Sequence, residues 1–320
     1  MVQLTINPSG VTQSRLPFHP AIALVSGVLA ISTGAVFAKL ADAPSLVIAA
    51  YRVGIASLIL IPLAWWKAKD ELVRLSLKDI ILAFVSGFFL ALHFAAWISS
   101  LSFTSVTNSV VLVNTNPLWV GLLTPWINKE KIRTSVVISI LISILGGIII
   151  SAEDFTIGSK ALFGDLLALV GGICAAFYLL LGRNLRKKLS LIAYISICYG
   201  SAAVILWSIV LGFGLKFYGF SVQTTTAFWA MALIPQLIGH TSYNWALRWF
   251  SASTIAVSLL GEPIGATILA YFIFGEAITC SKAIGGALIL SAICLASYGE
   301  KPTPLSSSHQ SNHSIQHSPH

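Results

Sequence analysis

Four ionisable side chains stand inside apolar runs of this 320-residue chain. They are Glu262 in SLLGEPIGATILAY, Arg52 in AAYRVGIASL, His93 in LALHFAAWIS and His240 in IGHTSYNW. An ionised carboxylate in hydrocarbon surroundings is costly unless it is paired or hydrated. Glu262 therefore reads either as a proton or cation site lining a cavity, or as a protonated carboxyl hydrogen-bonded to a neighbouring helix. Arginine stays charged, so Arg52 must snorkel, pair or face water. It either holds a substrate carboxylate or pairs with backbone carbonyls or with an acid such as Glu262. Histidine can relay protons near neutral pH; the bland alternative for His93 and His240 is packing.

Neutral groups of suitable chemistry lie in the same apolar runs. Trp97, Tyr178, Tyr243 and Trp245 could offer aromatic faces to apolar side chains, rings or amines. Their alternative role is helix packing or an interfacial belt. Asn114, Asn116, Gln236 and Asn244 supply hydrogen-bonding groups that either meet substrate or bridge helices. Pro117 and Pro263 each remove a backbone N–H and are expected to break their helices. Asp165 is expected in the first turn of a helix, where a carboxylate meets the positive end of the dipole. Glu130 and Glu276 are expected at span ends, capping the next helix or pairing with Lys129, Lys131 or Lys282. The four cysteines form no CxxC pair and read as packing residues. His309, His313 and His317 recur every four residues in a Ser-rich tail without fixed geometry, so no metal site is expected.

The elements that must carry these groups follow from composition. The chain is 56% apolar and 9% charged, with mean hydropathy +0.87; soluble domains average roughly 25% charged residues. This is the composition of an all-α integral membrane protein. The net charge of +8 then reports loop orientation rather than nucleic-acid binding. Ten apolar runs approach the length a bilayer requires: about 21–39, 45–66, 79–101, 104–126, 135–152, 161–182, 190–213, 225–247, 253–274 and 281–299. The first is longer than a signal h-region and reads as a span, not a removable leader. Placing both termini inside puts fourteen Lys and Arg on the cytoplasmic side and four outside, with Arg52 within a span. That asymmetry favours a multi-pass protein with both termini cytoplasmic.

The halves are related. Pro117 and Pro263 lie 146 positions apart, as do Glu130 and Glu276, Ser105 and Ser251, and Trp97 and Tyr243. Each half holds five spans, so the second must enter with opposite orientation. The expected organisation is a cytoplasmic segment at 1–20, a first repeat at 21–152, a second at 161–299 and a disordered cytoplasmic tail at 300–320. Inverted repeats place a site near the midplane between the halves, where rocking exposes it to either side.

Five stretches carry a family resemblance: TGAVFAKL (33–40), AAYRVGIASLIL (49–60), NPLWVGLLTPWINKEKI (116–132), FGDLLALVGGICAAFYLLLGR (163–183) and GEPIGATILAYFIFGEAITCSKAIGGALIL (261–290). Over about residues 20–299 the chain resembles the EamA-type branch of the drug/metabolite transporter superfamily. The resemblance implies ten helices in two repeats, a plasma-membrane location and movement of small organic metabolites, often outward. Two departures stand out. Asn128-Lys129-Glu130 replaces the usual Gly-Glu, and Asn116-Pro117 faces Glu262-Pro263 in the other half.

The resulting expectation is a secondary transporter that exports an amino acid or related zwitterion by alternating access. One Arg, one Glu and aromatics suit that cargo better than a multi-phosphate. The expected site comprises Arg52, His93, Trp97, Asn114, Asn116, Tyr178, His240, Tyr243, Asn244 and Glu262. An exporter of amphipathic drugs or amines is the alternative. A membrane-embedded enzyme lacks support, since no HExxH, GxSxG or convergent Asp/His set occurs. A channel would need a continuously polar pore. No GxxxxGK[ST] occurs, so no nucleotide cofactor is expected in this chain. The expected partners are the lipid bilayer and the small-molecule substrate, with no nucleic acid. Protons coupled through Glu262 and a homodimer stay open.

Overall fold

The computed structural model describes residues 4–6, 12–14, 20–104, 106–151, 159–275 and 278–297. Glu276, Ser105 and the tail with its histidines, all named above, lie outside the described residues. Near the N-terminus β1 (Leu4–Ile6) pairs antiparallel with β2 (Thr12–Ser14). The other elements among the described residues are helices. The helices are α1 (Pro20–Ser32), α2 (Gly34–Leu40), α3 (Ser45–Val73), α4 (Leu77–Ser100), α5 (Val106–Val113), α6 (Asn116–Ile127) and α7 (Thr134–Ser151). After these come α8 (Ser159–Arg186), α9 (Leu191–Gly212), α10 (Val222–Met231), a π-helix (Ala232–His240), α11 (Thr241–Ala246), α12 (Ala252–Leu259), α13 (Gly261–Phe274) and α14 (Cys280–Ser297).

Seven stretches among the described residues are long and apolar enough to cross a membrane, and Thr134–Ile149 and Ala283–Ala296 are shorter apolar helices. The outer surface is oily: Trp126, Phe272 and Leu58 are 83%, 76% and 75% exposed. A soluble protein does not display so many large apolar side chains; here lipid covers them. Several starts are written in the sequence. Ser76, Ser190, Ser221 and Ser251 each accept a hydrogen bond from the backbone N–H three residues on, opening α4, α9, α10 and α12 as N-caps.

Three expected spans are broken helices. Thr33 separates α1 from α2, Asn114 and Thr115 separate α5 from α6, and Leu260 separates α12 from α13. Pro117 and Pro263 stand in the first turns of α6 and α13, where a missing N–H is tolerated. The interruptions free backbone groups beside Asn114 and Glu262. Asp165 departs from expectation: α8 begins at Ser159, so Asp165 lies beyond the first turn. Its carboxylate instead accepts from Thr104 Oγ1 at 2.7 Å, tying the α4–α5 connection to α8.

Glu130 departs too. It neither caps the next helix nor pairs with a neighbouring lysine. Its Oε1 accepts from Arg183 Nε at 3.1 Å and Lys187 Nζ at 2.8 Å, and Arg183 Nη1 donates to the Leu247 carbonyl. Asn128 and Asn184 join the same ends reciprocally, donating to the Leu180 and Ile127 carbonyls at 3.0 Å each. The end of α6 is thus clamped to α8. Long-range partners of this kind are invisible to local spacing. Burial alone would raise the Glu130 carboxyl, but Lys187 and Arg183 hold it below the ordinary range. Its stabilising contribution is therefore present above the unfolded value of about 4.3 and disappears as pH falls through the lower folded value. Glu130→Gln should cost about 1 kcal/mol at neutral pH. Thermal unfolding in detergent should show that difference at neutral pH, with the gap narrowing as pH falls below about 4.3.

Candidate functional site

The helical interruptions converge on a small polar chamber. Its lining residues are Ile31, Arg52, His93, Trp97, Val113, His240 and Glu262. Five of these seven were expected site residues, brought from α3, α4, the π-helix and α13. The volume open to the centre of a water-sized sphere is about 30 Å³, enough for one or two waters.

Arg52 is 1% exposed. Its Nε donates to Gln236 Oε1 at 2.9 Å, and its guanidinium lies 4.1 Å from the centre of the Phe94 ring. Sequence reasoning offered Glu262 or backbone carbonyls as its structural partners. The structure supplies a neutral amide and an aromatic face instead. Glu262 opens α13 and accepts from Asn114 Nδ2 at 3.3 Å; Asn114 also donates to the Val110 carbonyl at 2.8 Å. Among the described residues no direct ion pair joins Arg52 to Glu262. Both side chains line one chamber without pairing with each other.

His93 Nδ1 lies 2.9 Å from the Gly171 carbonyl. A carbonyl only accepts, so Nδ1 carries the proton and Nε2 is left as an acceptor in the neutral ring. The imidazole stacks on Trp97 with centroids 6.0 Å apart and lies 6.3 Å from His240. The rings form one aromatic wall. Several buried polar atoms have no partner: Arg52 Nη1, Trp97 Nε1, His240 Nδ1, Gln236 Nε2 and the Tyr243 hydroxyl. Unpaired buried donors are rare in folded proteins, and three of these five atoms belong to residues that line the chamber.

The other expected residues lie one layer away. Asn244 Nδ2 lies 2.5 Å from the Tyr178 hydroxyl, 3.0 Å from the Tyr199 hydroxyl and 2.9 Å from the His240 carbonyl, and donates among them. Tyr178 and Asn244 thus support the His240 segment rather than line the chamber. Tyr243 is buried with its ring 6.3 Å from His240. Asn116 is buried and its Oδ1 has no partner, but it lines no part of the chamber. Pro117 and Pro263 line a separate apolar pocket. Trp245 stands 6.1 Å from Trp249, outside the chamber. Sequence reasoning missed Phe94 as the shelf beneath Arg52 and did not place Gln236 at the site. It also missed the π-helix that delivers Gln236 and His240. Pro235 within that helix was its only sequence signal, because a missing N–H loosens the i to i−4 ladder.

The chamber is buried between interrupted helices and is lined by Arg52, His93, Trp97, His240 and Glu262. Comparison with known proteins supplies the family. Residues 20–152 and 162–298 match the EamA-like transporter family, and the chain belongs to that family. A protein of Clostridium kluyveri named "Uncharacterized transporter" is 26% identical over 243 residues, covering 74% of this chain and 78% of its own. An Archaeoglobus fulgidus protein of the same name is 25% identical over 260 residues, or 78% of this chain and 86% of its own. The Bacillus subtilis "Uncharacterized transporter YyaM" is 24% identical over 259 residues, or 78% and 83%. A crystal structure of a protein 17% identical in sequence superposes with a TM-score of 0.70, covering 87% of this chain and 96% of the other; it shows the fold alone. The chain is a membrane transporter of the drug/metabolite type.

Proposed function

We propose that this protein is a secondary carrier that exports a small organic zwitterion, an amino acid or close relative, across the plasma membrane. One observation carries the reading. The chamber joins Arg52, His93 and Trp97 from the first half of the chain to His240 and Glu262 from the second. A site shared by two halves opens to one side or the other as the halves rock. The seven long spans, the two shorter apolar helices and the helical run from Val222 to Ala246 support ten passes in two inverted five-helix repeats. The two matched family segments support the same division. Both termini then lie in the cytoplasm, and the Glu130 clamp lies on the cytoplasmic side. Relatives named as transporters favour carriage over catalysis.

Export of amphipathic amines is the second reading. It draws on an apolar cleft of about 360 Å³ between α1 and the α13–α14 pair, lined by Val25, Val28, Gly261, Gly265 and Leu290 among others. The cleft backs onto the helix that carries Glu262.

The test compares metabolites inside and outside cells expressing the wild type and Glu262→Gln. The wild type should shift a few metabolites selectively. The variant should move them at least about tenfold more slowly, the effect of losing one charged, hydrogen-bonded contact. Full pH-dependent transport by Glu262→Gln would remove Glu262 from the mechanism.

A further inference from the structure

We infer that the Arg52 chamber and an apolar pocket behind Asn114 form one substrate site. The chamber takes a carboxylate, the pocket takes an aliphatic side chain, and the favoured cargo is an aliphatic α-amino acid of about leucine's size. This rests on the carrier reading above and specifies its cargo.

The carboxylate follows from the unmatched donors. Three of the seven chamber residues carry a buried nitrogen with no partner: Arg52 Nη1, Trp97 Nε1 and His240 Nδ1. A cationic ligand would satisfy Glu262 and leave those nitrogens stranded. A carboxylate accepts about four hydrogen bonds and reaches a guanidinium, an indole N–H and an imidazole together. Gln236 fixes the guanidinium by accepting from Nε at 2.9 Å, which leaves the Nη side to the ligand. Glu262, held by a single 3.3 Å hydrogen bond from Asn114, remains for the ammonium.

The side-chain pocket follows from volume. The chamber, at about 30 Å³, holds a headgroup but no carbon frame. Asn114 connects it to a second cavity: its amide bonds Glu262, which lines the chamber, and Asn114 itself lines a cavity of about 70 Å³. That cavity presents Ile140, Ile144, Leu260, Pro263 and Ile289. The polar side chains on it are turned inward to their own helices, with Ser143 Oγ donating to the Ser139 carbonyl and Thr115 Oγ1 to the Leu112 carbonyl. On the same measure about 70 Å³ holds roughly five water-sized groups. A four-carbon isobutyl group fits; a benzyl or indolyl group does not. An Asn114 side chain that swings off Glu262 would join the two cavities and release the carboxylate to the ammonium in one motion.

The experiment is counterflow into liposomes holding the purified full chain, with labelled leucine, alanine, phenylalanine and isopentylamine (leucine without its carboxylate) as probes. The wild type should move leucine at least about tenfold faster than isopentylamine and faster than phenylalanine, since a lost charged hydrogen bond is worth that factor. Ser143→Leu fills the pocket and should lower the leucine-to-alanine ratio by about fivefold or more; a methylene or two in an apolar pocket is worth that. Ile144→Ala enlarges the pocket and should raise the phenylalanine-to-leucine ratio, a gain that misfolding cannot produce. Equal transport of leucine and isopentylamine overturns the carboxylate assignment while leaving the carrier reading intact. Unchanged ratios in both pocket variants mean the cavity is a packing gap or a lipid contact, and overturn the side-chain assignment. If the wild type moves none of the probes, the leucine-sized cargo is wrong, and the metabolite comparison above decides separately whether the protein is a carrier.

Discussion

Arg52→Lys should lower carrier-mediated transport by roughly 100-fold while the protein still folds. Charge is conserved in this variant, so the loss isolates geometry. The guanidinium does three things at once: it donates through Nε to Gln236 at 2.9 Å, lies 4.1 Å over the Phe94 ring, and leaves Nη1 unpartnered at the chamber. A lysine ammonium is a point donor and cannot fill the Gln236 position and the chamber together. A buried hydrogen bond to a charged group contributes about 1.5–3 kcal/mol, and a desolvated cation–π contact up to about 2 kcal/mol. Losing part of each accounts for the expected factor. Gln236→Glu separates substrate binding from support. It should pair with Arg52 and keep thermal stability, yet neutralise the guanidinium and suppress transport of carboxylate probes. Wild-type transport by Arg52→Lys, or by Gln236→Glu, would reduce Arg52 to a structural cation.

The membrane character and the helical content were legible because hydrocarbon imposes a simple rule: long apolar runs must be helical to satisfy their backbones. Pro117 and Pro263 announced the positions of two interruptions for the same reason. Arg52, His93, Trp97, His240 and Glu262 were legible one at a time, since each is expensive where it stands. What spacing could not supply was their partners. Arg52 lies 184 positions from Gln236 and Asn114 lies 148 from Glu262; no local pattern encodes such pairs. Glu130 makes the point most clearly. The flanking Lys129 and Lys131 were the natural expectation, yet the fold brings Arg183 and Lys187 to it instead. The π-helix was hidden because its signature is a hydrogen-bond register, which side-chain periodicity records poorly. Tyr178 and Asn244 were legible as polar groups in apolar runs, but whether such a group touches a chamber or supports its wall depends on helix rotation that periodicity fixes only loosely.

Gly87→Ala should destabilise the protein by about 3 kcal/mol or more and cost most of its yield as a monodisperse species, the upper end of what overpacking a tight core does. Gly87 lies on α4 where that helix crosses α9. A methyl group there would overlap the Ser201 hydroxyl and the backbone carbonyl oxygen of Cys198. Ser201 can rotate, since its Oγ only donates to the Ile197 and Cys198 carbonyls. The Cys198 carbonyl belongs to a helical backbone and cannot. The two helices must therefore separate, and the contact beside them goes too: Ser86 Oγ lies 2.8 Å from the Tyr194 hydroxyl across the same seam. In lipid, helix association depends on such close packing rather than on a hydrophobic drive. The functional consequence follows from the same element, because α4 carries His93 and Trp97 to the chamber about two turns further on. Gly200→Ala is the control on α9. Its methyl would meet Ile61 Cδ1 at 3.7 Å, an ordinary contact, and should change stability by no more than about 0.5 kcal/mol. Thermal unfolding in detergent compares the two, and a Gly87→Ala midpoint within about 2 °C of the wild type would refute the account. Adding Ser201→Gly should recover little of the loss, because it removes the hydroxyl that could have moved and leaves the carbonyl that could not.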